Sequence, residues 1–283
     1  TPENLAYLLK YDSVYGRWNH KVSVEGTTLK IDGKKIAVLA EKEPQKLPWG
    51  KMNVDVVIES TGRLANEEGL KMHIKAGAKR AVLSAPAKGG GVPTLVMGVN
   101  EEMYDGEKYV NNASCTTNCV APVAQVIHSA FGVLKAAMTT VHGYTAEQNL
   151  VDGGMPALHK DFRRGRAAGI NIVPTSTGAA IATTETIPEL KGLFDGIALR
   201  VPIPVGSLSD FTFLVNKKTT VEAVNNALIK ASKSARYKGI LEVTTDPLVS
   251  SDVLGTTASA IVDLGFTKVI DGDFVKVLAW YDN

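Results

Sequence analysis

At 283 residues, 45% hydrophobic and 21% charged, with 26 Gly and 12 Pro, the chain is too long for one small core and too apolar for disorder or collagen. Two domains of about 100–200 residues each are the expectation. Thirty-one Lys+Arg against 29 Asp+Glu leave a net charge of +2, unlike the dense basic footprint of a dedicated nucleic-acid binder or an acidic solvating tail.

No apolar run approaches the roughly 18–20 residues that span a bilayer, and residues 1–10 lack a charged stretch followed by an apolar one, so a soluble, unexported, cytoplasmic protein is expected. Residues 21–39 alternate in polarity around Asp32-Gly33, which predicts an antiparallel hairpin. Residues 54–59 are a buried-strand run ending in the small residues Ser60, Thr61 and Gly62, and residues 66–76 have the cap and spacing of a helix. Residues 80–84, 94–99 and 108–111 read as further short strands. This alternation of strand with helix or loop is that of a parallel doubly wound α/β sheet, whose ligands sit at the carboxyl ends of the strands.

Beyond Cys119 the pattern changes. A helix over 116–131 feeds a strand over 134–142; strands follow at 196–202 and 207–216, then an amphipathic helix at 221–232 and strands near 258–262 and 274–280. Strands with long connections predict an α+β half, a mixed sheet with helices on one face. Between the halves runs a polar stretch, 145–169, carrying Lys160, Arg163, Arg164 and Arg166.

Cys115 and Cys119 are four apart; on a helix their Cβ atoms would stand about 5–6 Å apart, too far for a disulfide, so reduced thiols are expected. Cys115 falls where a strand ends and a helix begins, where unpaired N–H groups and the helix dipole stabilise a thiolate. A lone cysteine is more often buried and inert, and Cys119, among Val120, Ala121 and Val123, reads as such a core residue. The proton partner that a nucleophilic thiol needs is best supplied by His142, which closes a β-branched run before Gly143-Tyr144-Thr145; His73 and His128 fall inside helical patterns and read as packing or surface residues. Cys115, Cys119 and His142 offer only three zinc ligands without a structural-zinc spacing, so no metal is expected. Arg164, Arg166 and Arg200 could converge on phosphate oxygens, and Thr177-Gly178 before a helix-like run is both an anion cradle and a common cap.

Taken in order, Ser-Cys-Thr-Thr-Asn-Cys at 114–119, Thr-Val-His-Gly-Tyr-Thr at 140–145, Asp-Phe-Arg-Arg-Gly-Arg-Ala-Ala at 161–168, Pro-Thr-Ser-Thr-Gly-Ala-Ala at 174–180, Arg-Val-Pro at 200–202 and Trp-Tyr-Asp-Asn at 280–283 closely resemble phosphorylating glyceraldehyde-3-phosphate dehydrogenases. The likeness extends to residues 8–16 and 96–100. It implies a Rossmann-type dinucleotide-binding domain over 1–114, lacking its first β-α unit, and a mixed-sheet catalytic domain over 115–283, lacking its closing helix. It also implies Cys115 as nucleophile and His142 as its base. Thr145 and Arg200 match the site for the substrate phosphate; Ser114, Thr116, Thr177 and Gly178, with Arg164 nearby, match that for inorganic phosphate. Ser60, Thr61, Gly62, Ser84 and Asn283 match cofactor-binding positions.

The reaction so implied is oxidation of glyceraldehyde 3-phosphate to 1,3-bisphosphoglycerate in a cytoplasmic homotetramer. NAD is the expected cofactor because Leu158 offers a 2′-phosphate no hydrogen bond, with NADP left open. The family's glycine fingerprint and acidic ribose ligand would precede Thr1, and Gly89-Gly90-Gly91 does not replace that fingerprint. Residues 153–157 read as an insertion, Ala157-Leu158 stands where a leucine-proline pair is expected, and Gly143 replaces an alanine, a mild change. The alternatives are an erythrose 4-phosphate or aspartate semialdehyde dehydrogenase, which would share the Cys and His chemistry, and an RNA- or partner-binding protein, which the near-neutral charge disfavours.

Overall fold

The computed structural model describes residues 1–155 and 161–283, so the expectations for Ala157, Leu158, His159 and Lys160 lie outside the described residues. The chain opens with α1 (Pro2–Lys10), the short pair β1 (Tyr11–Asp12) and β2 (Gly16–Arg17), then β3 (Val22–Glu25), β4 (Thr28–Ile31) and β5 (Lys34–Ala37). The last three form an antiparallel meander. Asp32 and Gly33 both have positive φ, 48° and 86°, as the expected tight hairpin turn demands. A second turn at Gly26 makes three strands where the alternation showed two.

Next come β6 (Val56–Glu59), α2 (Glu67–Lys75), β7 (Arg80–Leu83) and β8 (Tyr109–Asn111), and the three strands pair in parallel in that order. Asn66 caps α2 by accepting the Gly69 N–H, satisfying one of the donors a helix start leaves free. The strand expected over 94–99 does not form. Thr94 makes a single bridge to Asn111, after which Asn100 accepts the Val96 N–H and donates to Thr94 O. One side-chain amide thus supplies the partners that a neighbouring strand would have offered.

The remaining elements are α3 (Cys115–Phe131), β9 (Val133–Gly143), β10 (Val173–Ser176), α4 (Ala179–Thr186), β11 (Phe194–Val201), β12 (Ser207–Val215), α5 (Val221–Ser232), β13 (Leu241–Thr244), β14 (Ala260–Ile270) and β15 (Phe274–Tyr281). Among the described residues the strands β9–β15 build one mixed sheet, ordered β10-β11-β9-β12-β15-β14-β13, parallel at β11/β9 and β13/β14. Alternate side chains of β12 (Phe211, Phe213, Val215) and β15 (Val275, Val277, Ala279) enter one core with Cys119, Val120, Val123 and Ile127 of α3. This period-2 face meeting a period-3.6 stripe buries the helix along the sheet. No helix of the described residues is long and apolar enough to cross a membrane.

Two details of this packing set the later geometry. The in-register parallel pairing of β9 and β11 places Arg200 directly opposite His142. From β15, the buried Tyr281 hydroxyl lies 2.8 Å from Thr116 Oγ1 on α3 and 2.7 Å from Thr140 Oγ1 on β9, pinning the start of the helix to the end of the strand. Tyr281→Phe is therefore expected to lower unfolding stability by about 1–3 kcal/mol, because it strands two buried hydroxyls. Urea denaturation checks this, and an unchanged midpoint would show that the hydroxyl ties nothing together.

Candidate active site

Ser114 caps α3 by accepting the Thr117 N–H at 3.0 Å, which makes Cys115 the first residue of the helix with its side chain open to the cleft. His142, 5% exposed at the end of β9, brings Nε2 to 3.5 Å from Cys115 Sγ. Its Nδ1 lies 2.6 Å from the carbonyl of Gly143; in the tautomer that carries the proton on Nδ1, the Nε2 lone pair faces the thiol. Arg200 Nη1 donates to the same carbonyl at 3.1 Å and lies 2.8 Å from Nδ1.

Burial, reinforced by the charge of Arg200, lowers the His142 pKa to about 4. Burial also pushes the Cys115 thiol up, although the Thr116 N–H and hydroxyl and Arg200 oppose it. The helix terminus is where the sequence places it, and desolvation there opposes the dipole. Desolvation thus favours the neutral form of both partners.

A cavity of about 170 Å³ opens on this pair, lined among others by Ser114, Thr116, Arg164, Thr177, Gly178 and Arg200. Arg164 is buried, donating Nε to Thr175 Oγ1 at 3.0 Å and Nη1 to Glu147 at 2.9 Å. Arg200 Nε is buried without a partner among the described residues, as is Thr145 Oγ1. An orphaned guanidinium donor in a cationic pocket is suited to an anionic oxygen. Thr145 does not line this cavity; its backbone N–H donates to Gln148 Oε1 at 3.3 Å. Thr116 does line it, with its hydroxyl bonded to Tyr281.

On the other side of Cys115 a second cavity, about 340 Å³, is lined by Ser84, Asn112, Ser114, Asn118, residues 256–259 and Asp282. Asn283 does not line it; its Oδ1 accepts both the Gly206 N–H at 3.0 Å and the Ser207 hydroxyl at 2.6 Å, so its amide nitrogen is the group left to meet a ligand. Gly206 makes this possible at φ +90°, where a Cβ would stand 2.3 Å from Ser250 O. Donors and space beside the thiol fit the nicotinamide end of a dinucleotide. Ser60, Thr61 and Gly62 lie outside both cavities, exposed beyond the end of β6.

Gly143 is a tighter position than sequence implied, since a Cβ there would stand 3.0 Å from Ile203 O and 3.1 Å from Pro204 O. Sequence reasoning missed Glu147, which bonds Arg164 and approaches Arg200 at 3.9 Å; the signal was an acid two residues after Thr145, ahead of the arginine run. A larger groove of about 780 Å³ at the far end of α3 is lined by no cysteine or histidine. Among the described residues no cluster of three His, Cys, Asp or Glu could hold a metal ion.

Comparison with known proteins bears directly on this site. Residues 114–283 match the family model described as glyceraldehyde 3-phosphate dehydrogenase, C-terminal domain, and residues 1–67 match its NAD binding domain. The chain belongs to the glyceraldehyde-3-phosphate dehydrogenase family. It is 50% identical to the enzyme of that name from Geobacillus stearothermophilus over 99% of this chain and 82% of the relative. It is 51% identical to that of Mycolicibacterium smegmatis over 99% and 81%, and 49% identical to that of Streptomyces coelicolor over 98% and 82%. The family's Rossmann-type and catalytic domains account for the parallel three-stranded sheet and the large mixed sheet.

The depressed imidazole has a thermodynamic signature. The unfolded chain protonates His142 near its ordinary 6.5 and the folded chain near about 4, so stability fully present above pH 6.5 is lost as pH falls between those values. The loss is on the order of 3 kcal/mol. In His142→Gln this part of the acid slope should vanish, as urea titrations from pH 7 to about 4 can measure; an unchanged slope would mean that the imidazole is not depressed.

Proposed function

We propose that this chain catalyses the NAD-dependent oxidative phosphorylation of glyceraldehyde 3-phosphate to 1,3-bisphosphoglycerate, with Cys115 as nucleophile and His142 as its proton partner. The observation that carries the assignment is the Sγ–Nε2 separation of 3.5 Å at a helix N-terminus, with a cavity lined by Arg164 and Arg200 opening on the pair. As Sγ attacks the aldehyde carbon, Nε2 takes the thiol proton, and the carbonyl oxygen becomes an oxyanion beside the imidazolium and the Cys115 backbone N–H. Because both partners start neutral, the charge separation arises during attack, where the buried dipoles are best used. Bound NAD supplies the acceptor for the hydride lost as the hemithioacetal becomes a thioester. An oxygen of inorganic phosphate then attacks the thioester carbonyl; the C–S bond breaks and the thiolate regains its proton from His142.

The two anion positions follow the charges. Arg200, with Thr145, takes the substrate's phosphate; Ser114, Thr116, Thr177 and Gly178, with Arg164 nearby, take the attacking phosphate. Asn283 orients the nicotinamide amide, and Ser60, Thr61, Gly62 and Ser84 line the dinucleotide cleft. The domain division falls between Ser114 and Cys115, so the nucleophile stands at the seam. We assign the protein to the cytoplasm, in keeping with two free thiols, and to a homotetramer. Support for assembly comes from Leu150, Val151, Phe162, Ile170 and Ile172 around the arginine loop, all exposed, Leu150 at 88% and Phe162 at 82%; large apolar groups so displayed mark an interaction surface.

Cys115→Ser should abolish NADH formation while leaving the fold intact, because a hydroxyl is a far poorer nucleophile than a thiol at neutral pH. More than a few per cent of residual turnover would refute the nucleophile. Arg200→Leu should raise KM for glyceraldehyde 3-phosphate by about 10- to 100-fold more than for unphosphorylated glyceraldehyde, since a charge-assisted bond is lost only where a phosphate uses it. Equal penalties on the two substrates would make Arg200 structural.

A further inference from the structure

A buried polar chain in the N-terminal half takes no part in these steps. Glu59, the last residue of β6, is 2% exposed and His73 of α2 is 4% exposed, a burial such groups have only when paired. Trp49 Nε1–H donates to His73 Nδ1 at 3.2 Å, and His73 Nε2 lies 2.8 Å from Glu59 Oε2. An indole nitrogen can only donate. His73 therefore accepts at Nδ1, carries its proton on Nε2 and aims it at the carboxylate.

From its other side Glu59 gathers the cofactor loop. Its Oε1 accepts the Thr61 backbone N–H at 2.8 Å and also the Thr61 hydroxyl. Its main-chain carbonyl accepts the Ser84 backbone N–H at 3.1 Å and the Ser84 hydroxyl at 3.2 Å. One residue thus anchors the ends of two neighbouring parallel strands, where doubly wound sheets bind ligands. Burial raises the Glu59 pKa, but the Thr61 and His73 bonds outweigh it and hold the carboxyl below its usual range. With its one hydroxyl proton committed to Glu59, and with the Arg63 N–H donating to it at 3.2 Å, Thr61 Oγ1 can meet a ligand only as an acceptor.

We propose that Trp49, His73 and Glu59 form a positioning relay for cofactor binding, in which His73 acts through Glu59 to present Thr61 as a hydrogen-bond acceptor to the dinucleotide. The inference rests on the assignment of residues 60–62 and Ser84 to the dinucleotide cleft. A merely structural pair would tie α2 to β6 without regard to which nitrogen of residue 73 carries the hydrogen.

The test compares variants of the full chain by calorimetric Kd for NAD, by kcat at saturating NAD and by Tm. His73→Asn carries its amide too close to the main chain to reach Glu59, and is expected to raise the Kd by about 5- to 20-fold with kcat within about twofold of the parent. His73→Gln, whose amide nitrogen falls near the position of Nε2, should restore the Kd to within about threefold even where Tm remains lowered. Trp49→Phe, at a half-buried position, should shift the Kd in the same direction by less, and carries the test if the Asn variant does not fold. Equal Kd penalties in the Asn and Gln variants, or a lost kcat with Kd intact, would overturn the relay. Thr61→Val separates the two layers: a normal Kd there refutes the loop's assignment and the relay with it, whereas a raised Kd beside a normal one in His73→Asn refutes the relay alone.

Discussion

The parallel pairing of β9 with β11 is the constraint on which the site depends. It sets Arg200 across from His142, forcing a guanidinium and an imidazole to share one carbonyl, that of Gly143, in a place where water cannot screen them. Two cationic side chains there would repel, so the imidazole remains neutral and the fixed charge belongs to arginine. Glu147 answers part of that charge through Arg164 and at longer range through Arg200 itself. What it leaves unanswered, including the buried Nε of Arg200, is the attraction offered to an incoming anion.

Desolvation of the pair also bears on how the proposed nucleophile would be used. A permanently ionised thiol would be exposed to any electrophile or oxidant entering the cleft. In the reaction proposed above, the thiolate would form as an electrophile accepts its electrons, with His142 Nε2 3.5 Å away to receive the proton. Tyr281 keeps that distance short by joining the helix that carries the thiol to the strand that carries the base. A strand-borne hydroxyl thereby sets a separation between groups it does not touch, and packing of the sheet core becomes part of the chemistry.

Much of this was legible in the sequence wherever the cause is local. The Asp32-Gly33 turn, the Asn66 cap, the helix start at Cys115 and the β-branched run into His142 all depend on neighbours within a few residues, and they occur where composition places them. The short edge strands β10 and β13 and the second turn at Gly26 were not apparent, because each is too brief to carry a period. Residues 94–99 misled for the opposite reason: their apolar content suits a strand, yet Asn100 closes the segment on itself. In the site, Cys115 and His142 were visible from their element ends. The roles of Glu147 and Tyr281 were not, since Tyr281 meets Thr116 across 165 residues and Thr140 across 141. His73 was passed over because a helical pattern says which residues are buried and nothing about what they bond.

The clamp on Asn283 has a consequence for molecular orientation. A carboxamide is nearly symmetric in shape, and its two ends differ only in whether they give or take a hydrogen. By occupying Oδ1 with the Gly206 N–H and the Ser207 hydroxyl, the fold removes that ambiguity and turns Asn283 into a one-way plug. A planar amide arriving at Asn283 must present its oxygen first. Under the proposed assignment of Asn283, that polarity would be set by two hydrogen bonds lying wholly within the protein and made before any ligand arrives.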